Sequence, residues 1–381
     1  MNIIKIGGIL LSEYSNYCKF KNFIEQTSKP NFIVISAIGK TTRLLQKASY
    51  LAFENNYDNA KEIIDSIRNL HISLANSLFG KENDVNIQLN NVFLEIDNLI
   101  KGISITKELN HKIIDKIISK GEVLSSIIVH HYLKSNHFPV SLLNANDYII
   151  TDNNFGSANP IFDETKNRLE SIEIQNNIYL IAGFYGSTLN REITTMGYES
   201  SNLTAALLAS VFDVNSITII TDVDCIYSAD PKIIKNPIPV EKISSRTAQL
   251  LSKFGLKLIH RQMIEVIENK DILLKYTSLN RSLSTIIAHG FSDVSIPIIC
   301  YNDSIENDSD LLFLIRSKPT SYVAIANVNS VLLMKIIEFL NSKNLTFAIN
   351  YSSENNFLVL YFNQQLTNEI LQHFHEIIIG K

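Results

Sequence analysis

Three runs decide the fold. I-Y-L-I-A-G-F-Y-G spans Ile178 to Gly186, T-T-M-G-Y-E-S-S-N-L-T-A-A-L-L-A spans Thr194 to Ala209, and S-I-T-I-I-T-D-V-D-C-I-Y-S-A-D-P-K spans Ser216 to Lys232. They read as a strand, a polar loop, an Ala/Leu-rich helix, a second strand, and a loop carrying carboxylates. A short run that is apolar on both faces is a buried parallel strand. Helix-start N–H groups, and carboxylates just past strand ends, are where α/β sheets place phosphates and the metal ion that accompanies them. The stretch from Gly183 to Lys232 therefore reads as a ligand site.

The same alternation extends outward. Residues 2–11 form an apolar run broken by Lys5 and Gly7-Gly8, and residues 31–38 form the next strand. Apolar residues recur at helical spacing from Thr42 to about Phe79, and again from 91 to 134 with a break at Gly121. Strands follow at 138–143, 178–184, 216–221 and 272–277, with helices near 202–212, 243–253 and 261–268. Residues 1–290 thus predict one α/β domain around a mostly parallel sheet. Past a polar, acidic stretch at 302–310, the order is strand, helix, strand, strand, helix, with bounds 322–327, 331–341, 345–351, 357–363 and 366–378. That is most of a ferredoxin-like α+β unit, so residues 291–381 predict a second, smaller domain whose last strand is not evident.

Composition narrows the classes. A chain of 381 residues with 45% hydrophobic content can bury a large core. A net charge of −4 gives no electrostatic case for nucleic acid or an anionic membrane. No apolar run reaches the roughly 18 residues of a spanning helix, and the N-terminus lacks a signal peptide's basic region and cleavage site. Cys18, Cys225 and Cys300 are odd in number and far apart, so neither a disulfide framework nor a metal cluster is expected. A cytoplasmic protein with reduced thiols is the expectation. His130-His131 reads as a packing or surface pair, and His373 and His375 as solvent-facing.

A lysine near the end of an apolar strand is costly unless its ammonium meets an anion, and paired glycines let backbone approach a phosphate. Lys5 with Gly7-Gly8 carries that signal, with a snorkelling lysine at an ordinary turn as the alternative. The set K-I-G-G, V-I-S-A-I-G-K-T-T-R-L (Val34 to Leu44), G-E-V-L-S-S (Gly121 to Ser126), G-F-Y-G, T-T-M-G, T-D-V-D-C-I-Y-S-A-D-P-K and K-F-G-L-K-L-I-H (Lys253 to His260) resembles the aspartate kinases of the amino acid kinase family. The tail resembles their ACT regulatory module.

The resemblance implies a three-layer amino acid kinase sandwich, an ACT-like regulatory or dimerisation domain, and a homodimer. It implies transfer of phosphate from ATP, with Mg²⁺, to L-aspartate, the first step toward lysine, threonine and methionine; no separate protein metal site is expected. Lys5, Gly7 and Gly8 would hold the β- and γ-phosphates. Thr221, Asp222 and Tyr227 would line the nucleotide site, with Asp230 and Lys232 at its ribose and phosphate side and Lys257 reaching ATP. Thr42, Glu122, Thr195, Tyr198 and Ser201 would form the aspartate pocket, with Glu122 taking the ammonium. Lys5, Lys257 and Asn202 would stand at the catalytic positions.

The chain departs from the family at informative places. Ile9 and Leu10 replace two hydroxyls of the family's K-F-G-G-T-S, the next hydroxyl being Ser12. The family's T-T-L-G-R-G-G-S-D is Thr194 to Asn202, so Tyr198 replaces the arginine that clamps the substrate α-carboxylate, and Asn202 replaces the aspartate that organises the lysines. A phenol does not imitate a bidentate guanidinium. L-D-A-R reads Leu143 to Asn146, losing a carboxylate and an arginine, and Cys225 in place of a glycine is expected to strain its turn. From Ser317 to Lys381 there is room for one ACT unit where regulated members carry two. Three readings stay open: an aspartate kinase, a weakened or non-catalytic homologue acting as a nucleotide-binding regulatory partner, and a kinase for a related small carboxylate.

Overall fold

A computed structural model of the chain describes residues 1–27, 31–81, 83–256, 261–291, 296–302 and 319–380. Lys257 and His260, and the acidic stretch from 303 onward, lie outside the described residues. Contacts divide the chain into two units, Met1–Asp224 with Thr277–Ser282, and Cys225–Tyr276 with Leu283–Lys381.

In the first unit, β1 (Ile3–Ile6), β2 (Phe32–Ile35), β3 (Val140–Leu143), β4 (Ile178–Ala182) and β7 (Ser216–Ile220) form a parallel sheet in the order β7-β1-β2-β4-β3. Between β4 and β7, β5 (Tyr185–Ser187) and β6 (Ile193–Thr195) make a small antiparallel pair. Every residue of β2 and β4 is buried, which requires cover on both faces of the sheet. The unit's helices are α1 (Tyr14–Gln26), α2 (Thr41–Phe53), α3 (Tyr57–Phe79), α4 (Asp84–Thr106), α5 (His111–Ile118), α6 (Lys120–Ser135), α7 (Ala145–Tyr148), α8 (Phe162–Glu170) and α9 (Ser201–Val211), of which α6 and α9 lie against the strands of the sheet. Helix α9 is buried along its whole length and packs on β1, β2 and β7, while α6 packs on β2, β3 and β4. The Ala-rich sequence of α9 suits its position, since small side chains let a helix lie close to the strands.

In the second unit, β8 (Ile226–Tyr227) pairs with β9 (Pro239–Val240), and β10 (Lys242–Ser244), β12 (Ser284–Ala288) and β11 (Leu273–Thr277) are neighbours in that order. Helices α10 (Ser245–Ser252) and α11 (Arg261–Asn269) pack together. An antiparallel sheet follows, with β13 (Ile298–Asn302), β14 (Ser321–Ala326), β16 (Phe357–Phe362) and β15 (Phe347–Ser352) side by side. Its core includes Val323, Ile325, Leu358, Leu360 and Phe362, packed with Ile336 and Leu340 of α12 (Ser330–Ser342) and Phe374 of α13 (Asn368–Ile379).

The large, mostly parallel sheet and the separate antiparallel sheet match the expected fold class. Details differ for local reasons. The fourth strand of the ferredoxin-like unit precedes it, as β13, instead of following it. The run from 42 to 79 is two helices, parted where Asn55 takes a positive φ of 65°. The break in the next helical run falls at Lys107, with φ of 57°, and at Ser119, while Gly121 lies inside α6. His375 is 3% exposed and its Nε2 lies 2.9 Å from the Ser228 hydroxyl, so the solvent-facing reading holds only for His373. Cys225 is buried without a positive φ, so its turn carries none of the strain expected from losing glycine.

Candidate functional site

Lys5 is the one residue of β1 that escapes full burial, and it pairs in register with Val34 and Ile219 on either side. Burial lowers its ammonium pKa to about 8, against a smaller upward pull from the Glu199 carboxylate. A cation held so near neutrality in a parallel sheet is poised to meet an anion at the strands' carboxyl ends.

The glycines after it are required by packing. The Gly7 amide donates to Ile220 O at 3.0 Å, extending the β1–β7 pairing. A Cβ on Gly8 would lie 1.7 Å from Ala37 O, and Gly8 O accepts from the Gly39 amide. The loop after β1 and the loop after β2 therefore touch backbone to backbone.

That second loop meets Glu122. Gly121 opens the approach, because a Cβ there would come 3.0 Å from the Ala37 Cβ and 3.3 Å from the Thr41 Cγ2. Glu122 is 3% exposed; its Oε1 accepts from the Ala37 amide at 3.3 Å and, more weakly, from the Thr42 hydroxyl at 3.5 Å. Its Oε2 is buried and has no hydrogen-bond partner among the described residues. Burial pushes the Glu122 pKa up to about 8, opposed by those hydrogen bonds. Leaving a buried carboxylate oxygen unpaired is expensive unless a cation completes it.

Opposite lies the loop from Thr194 to Asn202. Asp115 anchors it: one oxygen accepts from the Thr195 hydroxyl at 2.6 Å, the other from the amides of Thr195 at 2.9 Å and Gly156 at 2.8 Å. Burial raises the Asp115 pKa, and the three bonds oppose the rise. Thr195 is thus fixed by its own side chain and has its hydroxyl committed. Beyond it the Tyr198 hydroxyl donates to Gln46 Oε1 at 2.6 Å, and the Arg43 guanidinium carbon lies 5.7 Å from the centre of the Tyr198 ring. Burial raises the Tyr198 phenol pKa, and the Arg43 charge opposes this. Glu199 adopts φ of 69°, a left-handed conformation costing a non-glycine residue about 1 kcal/mol, where the resembling motif has glycine. Ser201 and Asn202 begin α9 and are buried, and Gly183 makes room, since a Cβ there would lie 2.6 Å from the Ser201 Cα.

After β7, the Thr221 amide donates to Thr277 O at 2.9 Å and its hydroxyl closes a turn with Val223, leaving Asp222 exposed. In the second unit, Tyr227 is half-buried in β8 opposite Pro239. Asp230 is exposed, and its Oδ1 caps the Lys232 amide at 2.8 Å, with the Lys232 side chain in solvent.

In the first unit the structure brings together Thr42, Glu122 and Tyr198 around the start of α2, and holds Thr195 on Asp115. Sequence reasoning passed over Asp115, Arg43, Gln46 and Glu199. A signal existed for Asp115, a carboxylate amid the apolar residues of I-I-D-K-I-I; nothing local marks Arg43 or Gln46, whose importance comes from a residue more than 150 positions away. Among the described residues no three His, Cys, Asp or Glu side chains are grouped to hold a metal, and no helix is long and apolar enough to cross a membrane.

The sequence model of the amino acid kinase family matches residues 1–275. A bifunctional aspartokinase/homoserine dehydrogenase of Buchnera aphidicola is 29% identical over 298 residues, covering 75% of this chain and 36% of its own. An aspartokinase of Chlamydia pneumoniae is 26% identical over 262 residues, covering 69% of this chain and 56% of its own. The chain thus spans between about a third and somewhat over half the length of these relatives. Among solved structures, E. coli aspartokinase III in complex with aspartate and ADP superposes with a TM-score of 0.85 at 16% identity, over 99% of this chain and 100% of that one. Aspartate kinase of Clostridium acetobutylicum gives 0.73 at 16%, over 99% and 100%. At these identities the structural likeness speaks to the fold.

Proposed function

Since this chain belongs to the amino acid kinase family, we propose that it transfers the terminal phosphoryl group of ATP to the side-chain carboxylate of L-aspartate, giving 4-phospho-L-aspartate and ADP. The observation that carries this reading is the buried, unpartnered Oε2 of Glu122 beside the first turn of α2. It is suited to an ammonium group at a position where the aspartokinase motif has its substrate glutamate. The curated relatives named as aspartokinases support the same acceptor.

In the reaction a carboxylate oxygen attacks the γ-phosphorus, and the bond to the bridging oxygen of ADP breaks. Little covalent chemistry is asked of the protein, so catalysis rests on positioning and charge. Lys5 stabilises the charge on the transferred group from β1, beside the loops that meet at Gly8. Glu122 takes the ammonium, Thr42 and Ser201 polarise the pocket, and Thr195 shapes it. Asn202 stands at the head of α9, with Glu199 supplying the negative charge felt by Lys5. The sequence resemblance assigns Thr221, Asp222, Tyr227, Asp230, Lys232 and Lys257 to the nucleotide. Magnesium is bound mainly by substrate phosphates in such sites, so the lack of a grouped carboxylate cage among the described residues is compatible with it. Residues 1–290 form the catalytic domain in this reading, and 291–381 an ACT-like regulatory or dimerisation domain of a cytoplasmic homodimer.

Tyr198 favours a second reading, a kinase for a related small carboxylate, because the phenol is already bonded to Gln46. A coupled ADP-release assay with ATP, Mg²⁺ and millimolar L-aspartate separates the two. Aspartate-dependent turnover supports the first reading; turnover with another carboxylate alone supports the second; ATP binding without turnover leaves a nucleotide-binding homologue.

A further inference from the structure

The clamp lost at Tyr198 has a replacement on the facing helix. Arg43 and Gln46 lie one turn apart on α2 and both reach Tyr198, Gln46 through its side-chain oxygen and Arg43 over the ring. A guanidinium over an aromatic face at cation–π range, as Arg43 is 5.7 Å from the centre of the Tyr198 ring, still carries a planar fork of N–H donors that can take a carboxylate by two parallel hydrogen bonds. Among the described residues Arg43 forms no ion pair with a carboxylate. Its neighbour Thr42 touches Glu122, whose free oxygen calls for a cation. The first turn of α2 has no side-chain cap from Lys40, so its amide groups add positive potential beside the arginine. An amino acid placed with its ammonium on Glu122 therefore finds a counter-charge for its α-carboxylate at Arg43.

We propose that Arg43 is the specificity-determining residue that binds the α-carboxylate of the amino acid substrate, positioned over the Tyr198 ring, which Gln46 in turn holds through its hydroxyl. The inference rests on the kinase reading above and deepens it: the positive charge of the clamp has moved from the loop before α9 to α2. Tyr198 then serves as a platform, which explains why its hydroxyl is tied to Gln46 and its ring lies under Arg43.

The test compares the wild-type chain with Arg43→Gln and Arg43→Lys, using L-aspartate and β-alanine, which is aspartate without its α-carboxylate. Arg43→Gln is expected to raise KM for L-aspartate by about tenfold to a hundredfold, with kcat changed little and KM for β-alanine unchanged. Arg43→Lys restores part of the loss, since a lysine keeps the charge without the fork. An unchanged KM for L-aspartate in Arg43→Gln, or equal losses with both substrates, overturns the proposal. If the wild type turns over with neither substrate, the kinase reading fails by itself, and calorimetric titration with L-aspartate in the presence of ADP decides Arg43. Weaker binding by tenfold or more in Arg43→Gln upholds it, while equal binding, or none by the wild type, overturns it. Arg43 is exposed, so an unchanged thermal midpoint identifies each variant as folded.

Discussion

At the scale of single residues, two ionisable groups shifted by burial weaken the fold in the service of function. Glu122 has a native pKa of about 8 against an ordinary 4.5. Between those values the native state holds a proton that the unfolded chain has released, so stability falls as pH rises through that window and levels off above about 8. Glu122→Gln is expected to remove this slope, leaving a variant about 1–4 kcal/mol more stable than wild type at pH 8 but impaired in aspartate binding. Urea midpoints from pH 5 to 8 check the first outcome, and KM the second. Lys5 has the opposite sign. Its pKa is lowered from 10.5 to about 8, so the charged form weakens the native state below about 8, and stability recovers as pH rises from 8 to 10.5. Lys5→Met should gain about 1–3 kcal/mol at pH 7 while abolishing ADP release. A melt showing no gain would mean that water reaches the ammonium well enough to solvate it.

At the scale of elements, Asp115 ties α5 to the end of β6 and to the loop at Gly156. Asp115→Ala strands two amides and a hydroxyl and is expected to destabilise the fold by about 2–4 kcal/mol. Asp115→Asn keeps one oxygen for the two amides and offers an N–H to the Thr195 hydroxyl, so it should cost less than about 1.5 kcal/mol. Equal losses in chemical denaturation would show that the charge of Asp115, and not its acceptor geometry, carries the anchor. The strand–loop–helix–strand order around Gly183 was legible because each run shows its own hydrophobic period. Helix limits were less so: Asn55 and Lys107 end helices through positive φ values that periodicity does not register. Nor did the sequence order show that β13 completes the antiparallel sheet, since that strand precedes the unit and pairs antiparallel with β14.

At the scale of the whole molecule, ligand binding and stability are linked. A nucleotide that binds only the folded chain raises its stability by RT ln(1 + [L]/Kd), about 2.7 kcal/mol at a hundredfold excess over Kd. Magnesium–ATP is therefore expected to raise the thermal midpoint, and Lys5→Met to abolish most of the rise; a midpoint unmoved by millimolar magnesium–ATP in the wild type would count against nucleotide binding. The sequence by itself determined the α/β class, the antiparallel tail and the motif order, because hydrophobic periodicity and short glycine- and carboxylate-bearing loops are local properties. It also singled out Glu122, through the resemblance of the G-E-V-L-S-S motif. Only the tertiary structure decided which groups meet. Arg43 beside Tyr198, Glu199 within reach of Lys5, and Asp115 under Thr195 are neighbours through space, and electrostatics depends on distance between side chains, which spacing along the chain does not encode.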